Sequence, residues 1–270
     1  MSDQSDPDSP FIIREASGEA VPLVVSIPHT GVRVPEGVSR FFAQPKMHAL
    51  PNTDWHLHEL YDFLPELGVT TIHAVFSRFV VDLNRPPENK PLYPGRFETG
   101  LVPNHTFHGE DIWTHPPDAE EIERRRQLYH APYHAKLQAL LESTRERFGR
   151  AVLIDAHSIM SAPTQINDEL LNDIYLGDQE GRTCGEWLVG GLQSGFEAAG
   201  LRVVRNYPFK GGYITRHYGA MEQVEACQIE MAQRVYMNEE DPENGPQHER
   251  FDQTRQILRA VVERLIQSMD

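Results

Sequence analysis

The stretch Ala151-Val152-Leu153-Ile154-Asp155-Ala156-His157-Ser158 is an unbroken apolar run that ends in an acid and a histidine. Val152, Leu153 and Ile154 are consecutive rather than alternating with polar residues, the pattern of a parallel strand covered on both faces. In open α/β sheets ligands sit just beyond the carboxyl ends of such strands, where Asp155 and His157 fall. A second stretch has the same form, Val21-Pro-Leu-Val-Val-Ser-Ile27 running into Pro28-His29-Thr30-Gly31. Two histidines, each just past a buried strand, point to one metal site.

Around these strands the chain reads as alternating elements. Phe11 to Glu15 forms a short opening strand, and Pro35 to Pro51 is irregular with a short helix near Met47. Thr53 and Asp54 supply an N-cap and an early carboxylate for a helix through Leu57, Leu60, Tyr61 and Leu64, ended by Gly68. Val69 to Phe76 and Phe79 to Leu83 follow as strands. Asn84 to His115 is rich in Pro and Gly and lacks periodicity, the mark of a functional loop or lid. Asp118 to Phe148 is helical, bent or interrupted at Pro132 and ended by Gly149. Strands are expected at 174–177, 201–204 and 224–231, helices at 183–199 and 252–268, and a loop from Tyr207 to Gly219.

At 270 residues, with 39% hydrophobic and 24% charged side chains, the chain suits a single α/β domain with long loops over 11–270, after a frayed acidic tail at 1–10. Nothing at the amino terminus has the form of a signal peptide, and no apolar run approaches membrane-spanning length. Forty acids against 25 bases leave a net charge of −15, which argues against nucleic acid or an anionic membrane as partner. An anionic substrate then requires a locally basic pocket. Cys184 and Cys227 have no C-x-x-C spacing and read as buried thiols, consistent with a reducing cytoplasm. The sequence leaves oligomeric state open.

A hydrolytic zinc site takes three protein ligands and leaves a position for water. His29 and His157 supply two. Asp54, turning back from the start of its helix, is favoured as the third over the rival His56 with Glu59, whose i, i+3 spacing shares a helix face. Val80-Val-Asp-Leu-Asn84-Arg85 ends an apolar strand in an amide and a guanidinium, a pair suited to a carboxylate. The alternative for Arg85 is a loop-tethering salt bridge with Asp82. Arg78 is placed to polarise a substrate carbonyl, with a solvated edge-strand charge as its alternative. In Glu225 to Met231, Cys227, Ile229 and Met231 share an apolar face, so Glu230 faces a polar space as the candidate general base. Lys210-Gly211-Gly212-Tyr213 reads as a mobile loop that lets backbone approach a ligand, or as a plain turn.

With these motifs assembled, the chain resembles the N-formylglutamate amidohydrolase family from about Val21 to Arg234. The matching motifs are Pro28-His-Thr-Gly31, Thr53-Asp54, Ser77-Arg78, Asp82-Leu-Asn-Arg85, Pro132-Tyr-His134, Asp155-Ala-His-Ser158, Gly211-Gly-Tyr213 and Gln228-Ile-Glu230. The resemblance implies a phosphorylase/hydrolase-like α/β fold with a mixed central sheet, akin to the zinc-dependent exopeptidases and aspartoacylases. It implies hydrolysis of N-formyl-L-glutamate to formate and L-glutamate, a step of histidine degradation. It also implies zinc on His29, Asp54 and His157, Asn84 and Arg85 on the substrate carboxylate, Arg78 on the carbonyl and Glu230 as base. A His/His/Asp set also accepts other first-row divalent ions. The related exopeptidases carry a close His-x-x-Glu pair, whereas Thr30, Gly31 and Val32 follow His29, so the acidic ligand comes from elsewhere. Rival readings are an amidohydrolase for another N-acyl amino acid, a non-catalytic zinc or acidic-ligand binding protein, and a serine hydrolase using Ser158. The last lacks a G-x-S-x-G elbow.

Overall fold

The computed structural model describes residues 9–90, 98–167 and 169–269, so most of the expected acidic tail and part of the Asn84–His115 loop lie outside the described residues. Seven strands, β1 (Phe11–Arg14), β2 (Leu23–Ile27), β3 (Thr70–Ala74), β4 (Ala151–Ile159), β5 (Ile174–Gly177), β6 (Val203–Arg205) and β7 (Val224–Ala232), form one mixed sheet ordered β1-β3-β2-β4-β7-β5-β6. The central strands β3, β2, β4 and β7 are parallel. β1 pairs antiparallel with β3, and β5 antiparallel with β7. The helices are α1 (Glu36–Ser39), α2 (Leu57–Leu60), α3 (Ala119–Arg125), α4 (Ala131–Phe148), α5 (Glu186–Ala198), α6 (Tyr213–Tyr218) and α7 (Glu249–Gln267).

All nine residues of β4 are buried because helices cover both sheet faces. Successive side chains of a strand point to opposite faces. Val152, Ile154 and Ala156 therefore join Leu23, Val25, Cys227 and Ile229 in a core beneath α5 and α7. Leu153 and Val24 turn the other way, onto Tyr133, Leu137 and Leu141 of α4. Both cysteines are free and buried, as expected. Among the described residues no helix is long and apolar enough to cross a membrane.

The structure corrects three expected elements. Phe79 to Leu83 is not a strand: β1 occupies the outer edge of β3, and Asp82 N instead donates to Leu101 O at 2.7 Å in a buried loop. The helix expected after Asp54 is a single α turn followed by a 3-10 turn at Leu64–Leu67, with Pro65 stopping α continuation and Gly68 closing it at φ 79°. Thr53 and Asp54 do not cap it, since His56 occupies the N-cap at φ 57°. The Tyr207–Gly219 loop contains α6. The long helix is interrupted near Pro132 as expected: Asp118 caps α3 by accepting from Glu121 N at 2.9 Å, and a π turn at Arg126–His130 separates α3 from α4. Pro132 has no N–H for the Leu128 carbonyl, and the wider turn accommodates that loss.

Candidate functional site

Because β2 and β4 are adjacent and parallel, their carboxyl ends deliver His29 and His157 to the same edge, with ring centroids 4.8 Å apart. β7 places Glu230 directly opposite His157 in register. Asp54 is brought in by its backbone, whose N–H donates to His29 O at 3.1 Å. All four side chains are buried.

The orientation of each imidazole is set by a carboxylate behind it. His29 Nε2 lies 2.7 Å from Asp82 Oδ1, and His157 Nε2 lies 3.0 Å from Asp155 Oδ2. A carboxylate only accepts, so each Nε2 carries the proton and each Nδ1 presents a lone pair. The two Nδ1 atoms are 3.1 Å apart, and Asp54 Oδ2 is 3.2 Å from His157 Nδ1 and 3.7 Å from His29 Nδ1. Three acceptors facing one another repel unless a cation or a proton lies between them. Zinc bonds of about 2.0–2.1 Å in a tetrahedron require donor–donor edges of about 3.3–3.4 Å. The three edges here bracket that length, so His29, Asp54 and His157 fit a divalent ion.

In place of a cation, the surrounding carboxylates favour a proton at the same position. Burial works against ionising His157, yet the Asp155 and Asp54 carboxylates hold its pKa well above the ordinary value. Burial, reinforced by the Arg78 guanidinium, lowers His29. Burial also opposes ionisation of Asp82, but Arg78 and His29 outweigh it and hold its carboxyl well below the usual range. Glu230 is pushed up chiefly by burial, with Asp54 and Asp155 adding to the effect.

A cavity of about 470 Å³ opens above this cluster, lined by His29, His157, Glu230, Arg78, Asn84, Arg85, Gly211 and Gly212, with Phe107, Ile166 and Phe209 among its apolar wall. Arg78 is no edge-strand charge: it is buried, donates to Asp82 Oδ2 at 2.6 Å, stacks over Phe107, and keeps an Nε with no hydrogen-bond partner among the described residues. Arg85 is half-buried, donates to Thr99 Oγ1 at 3.2 Å, and lies 3.9 Å from Asp82. Asn84 lines the cavity with its amide engaged at both ends. Its Oδ1 accepts from Ile214 N at 2.8 Å, and its Nδ2 lies 3.3 Å from Asp155 Oδ2 and 3.0 Å from His157 Nε2. Gly212 packs so tightly on Asn84 that a Cβ would fall 2.3 Å from the amide nitrogen.

Two residues lie elsewhere than the cavity. Tyr213 stacks on His217 rather than joining the lining. His56, the rival ligand, directs one ring nitrogen to Glu59 at 2.7 Å and the other to Pro242 O at 2.8 Å, outside the cluster. Ser158 does line the cavity, but its hydroxyl bonds Tyr236 at 2.8 Å rather than an imidazole. Sequence reasoning missed the role of Asp82, which orients both His29 and Arg78. Its signal was a lone acid inside the apolar run Val80-Val-Asp-Leu. Gln228, which donates to Glu230 Oε2 at 3.2 Å and accepts from Gly212 N at 2.8 Å, was seen only as part of a motif.

Fold and site together define an α/β enzyme of the amidohydrolase class. The chain belongs to the N-formylglutamate amidohydrolase family, which it matches over residues 21–237. It is 43% identical over 226 residues to an N-formylglutamate deformylase of Pseudomonas putida, covering 82% of this chain and 84% of that one. A second such deformylase, from Pseudomonas aeruginosa, is 41% identical over 250 residues, covering 91% and 93%. Among solved structures, N-formylglutamate amidohydrolase from Ralstonia eutropha superposes with a TM-score of 0.80 at 26% identity, covering 97% of this chain and 98% of that one. A gene product of Agrobacterium tumefaciens shares the fold, with a TM-score of 0.74 at 18% identity over 98% and 97% of the two chains.

Proposed function

We propose that the protein hydrolyses N-formyl-L-glutamate to formate and L-glutamate, with a zinc ion held by His29, Asp54 and His157. The observation that carries this reading is the convergence of His29 Nδ1, His157 Nδ1 and Asp54 Oδ2 below a cavity that also presents Glu230 and Arg78. When bound there, zinc supplies Lewis acidity for activating water and the amide carbonyl; other first-row divalent ions suit the same donors.

The chain's own groups account for the rest. Arg85 meets a substrate carboxylate in a protein whose net charge of −15 would otherwise repel an anion. Arg78, fixed by Asp82 and with Nε unpartnered among the described residues, donates to the formyl oxygen as negative charge builds there. Glu230 takes the proton from the attacking water as oxygen bonds to the formyl carbon. It then delivers that proton to the nitrogen as the carbon–nitrogen bond breaks, leaving formate and the amino acid. A carboxylate whose pKa burial has raised suits both roles.

A formate-release assay on N-formyl-L-glutamate, run with metal analysis, tests this reading. Formate release that chelation abolishes and zinc restores is expected. No formate release by the zinc-loaded protein, or full activity after complete chelation, sinks it.

A further inference from the structure

The loop from Leu83 to Arg85 carries two cavity residues but pairs with no strand among the described residues, and its three consecutive carbonyls are each held from elsewhere. His134 Nε2 lies 2.8 Å from Leu83 O, Tyr213 N donates to Asn84 O at 3.3 Å, and His130 Nε2 lies 2.9 Å from Arg85 O. A carbonyl oxygen only accepts, so both imidazoles carry their proton on Nε2. The Tyr218 hydroxyl, 3.0 Å from His134 Nδ1 and stacked against that ring, fixes the second histidine further. His130 closes the π turn and His134 lies in the first turn of α4, with their rings 4.2 Å apart. π turns within helices recur at functional sites because they re-aim the side chains that follow.

We propose that His130 and His134 are positioning residues for the active site. Through the Leu83 and Arg85 carbonyls they hold the Asn84 amide against Asp155 and His157 and aim the Arg85 guanidinium at the cavity. Neither histidine lines the cavity. The proposal rests on the reading of Arg85 as the carboxylate-binding group. The assignment also gives Asn84 work that its engaged amide can do, bracing the Asp155–His157 pair from α6.

Phe keeps a ring in place without the N–H, while Gln reaches nearly as far as Nε2 and can donate to the same carbonyl. In the zinc-loaded full-length protein, His130→Phe is expected to raise KM for N-formyl-L-glutamate roughly 3- to 10-fold with kcat less affected, the loss of one buried hydrogen bond. His130→Gln is expected to recover most of that loss. Combining His130→Phe with Arg85→Lys should cost less than the product of the two single effects, since one acts through the other. Amide hydrogen exchange gives a readout independent of turnover: Tyr213 and Ile214, whose N–H groups hold Asn84, should exchange faster in His130→Phe and in His134→Phe. Wild-type KM and exchange in His130→Phe, or strictly multiplicative effects in the double variant, overturn the proposal. If the Phe variants do not fold, the Gln variants decide it, and a KM loss in His130→Gln as large as that of His130→Asn overturns it as well. Failure of the functional reading looks different: the wild type releases no formate, or Arg85→Lys leaves KM unchanged, while the exchange difference persists.

Discussion

Two pairs of histidines, His29 with His157 and His130 with His134, are alike in every crude respect. Each pair lies within the fold with its rings in contact, at 4.8 Å and 4.2 Å. They differ in what stands behind the rings. The first pair is backed by Asp82 and Asp155 and faces Asp54. The second pair is backed by the carbonyls of Leu83 and Arg85. Electrostatically the contrast lies at His157: burial draws His29, His130 and His134 below the usual histidine range, His134 strongly, whereas carboxylates lift His157 well above it against the same burial. Burial and proximity therefore do not make a candidate cation site. Carboxylates that fix Nε2 and leave Nδ1 lone pairs converging do, and neutral imidazoles bound to carbonyls make a brace instead.

The sharpest way to break the comparison is to delete one ring from each pair. His157→Ala or His29→Ala is expected to remove bound zinc and reduce turnover to background, measured by metal analysis after dialysis and by formate release. His134→Ala should retain a full equivalent of metal. Full occupancy in His157→Ala, or its loss in His134→Ala, would erase the distinction.

Next in size is the acid opposite His157. Glu230→Gln keeps shape and hydrogen bonding but cannot carry a proton, and general acid–base catalysis typically contributes about 10²–10⁴-fold. A fall of that order in kcat is expected, with zinc retained and KM little changed. Turnover near the wild-type rate would remove Glu230 from the mechanism. A smaller effect tests the carboxylate backing itself: Asp82→Asn leaves His29 in place yet weakens its partner, and loss of such an outer partner typically costs about 10–100-fold in metal affinity. An unchanged zinc affinity in competition with a chelator would mean that Asp82 serves Arg78 alone.

The first pair is legible in the sequence; of the second, only His134 enters, as part of the motif Pro132-Tyr-His134 and without a role. Val152 to Ile154 and Leu23 to Val25 are unbroken apolar runs, the pattern of a strand covered on both faces, and such strands point to the residues just past them as site residues. Asp54 was found for a different reason from the one that places it, since it caps no helix and is tethered by its own N–H to His29 O. Phe79 to Leu83 has the composition of a strand, but sheet order is a tertiary property, and the edge it would need is filled by β1. His130 and His134 sit in a sequence that reads as ordinary amphipathic helix. Their direction depends on a π turn, and their partners are backbone carbonyls far along the chain, which no side-chain pattern announces.

Arg85 is where the two regions meet, because its carbonyl is held by His130 while its guanidinium lies at the cavity beside Thr99 and Asp82. If it recognises a substrate carboxylate, the planar fork matters as well as the charge. Arg85→Lys keeps the positive charge near Asp82, so the electrostatics of His29 and Arg78 change little and zinc should stay bound. What is lost is the pair of parallel N–H groups that a carboxylate can engage at once. A rise in KM of about 5- to 10-fold is expected, the scale of one charge-assisted hydrogen bond weakened rather than removed, with kcat nearly preserved. A fall in kcat at constant KM would instead place Arg85 on the reacting centre. An unchanged KM for a dianionic substrate would leave Arg85 as a tether for Asp82, and the carboxylate would then have to be met by another cation of the cavity.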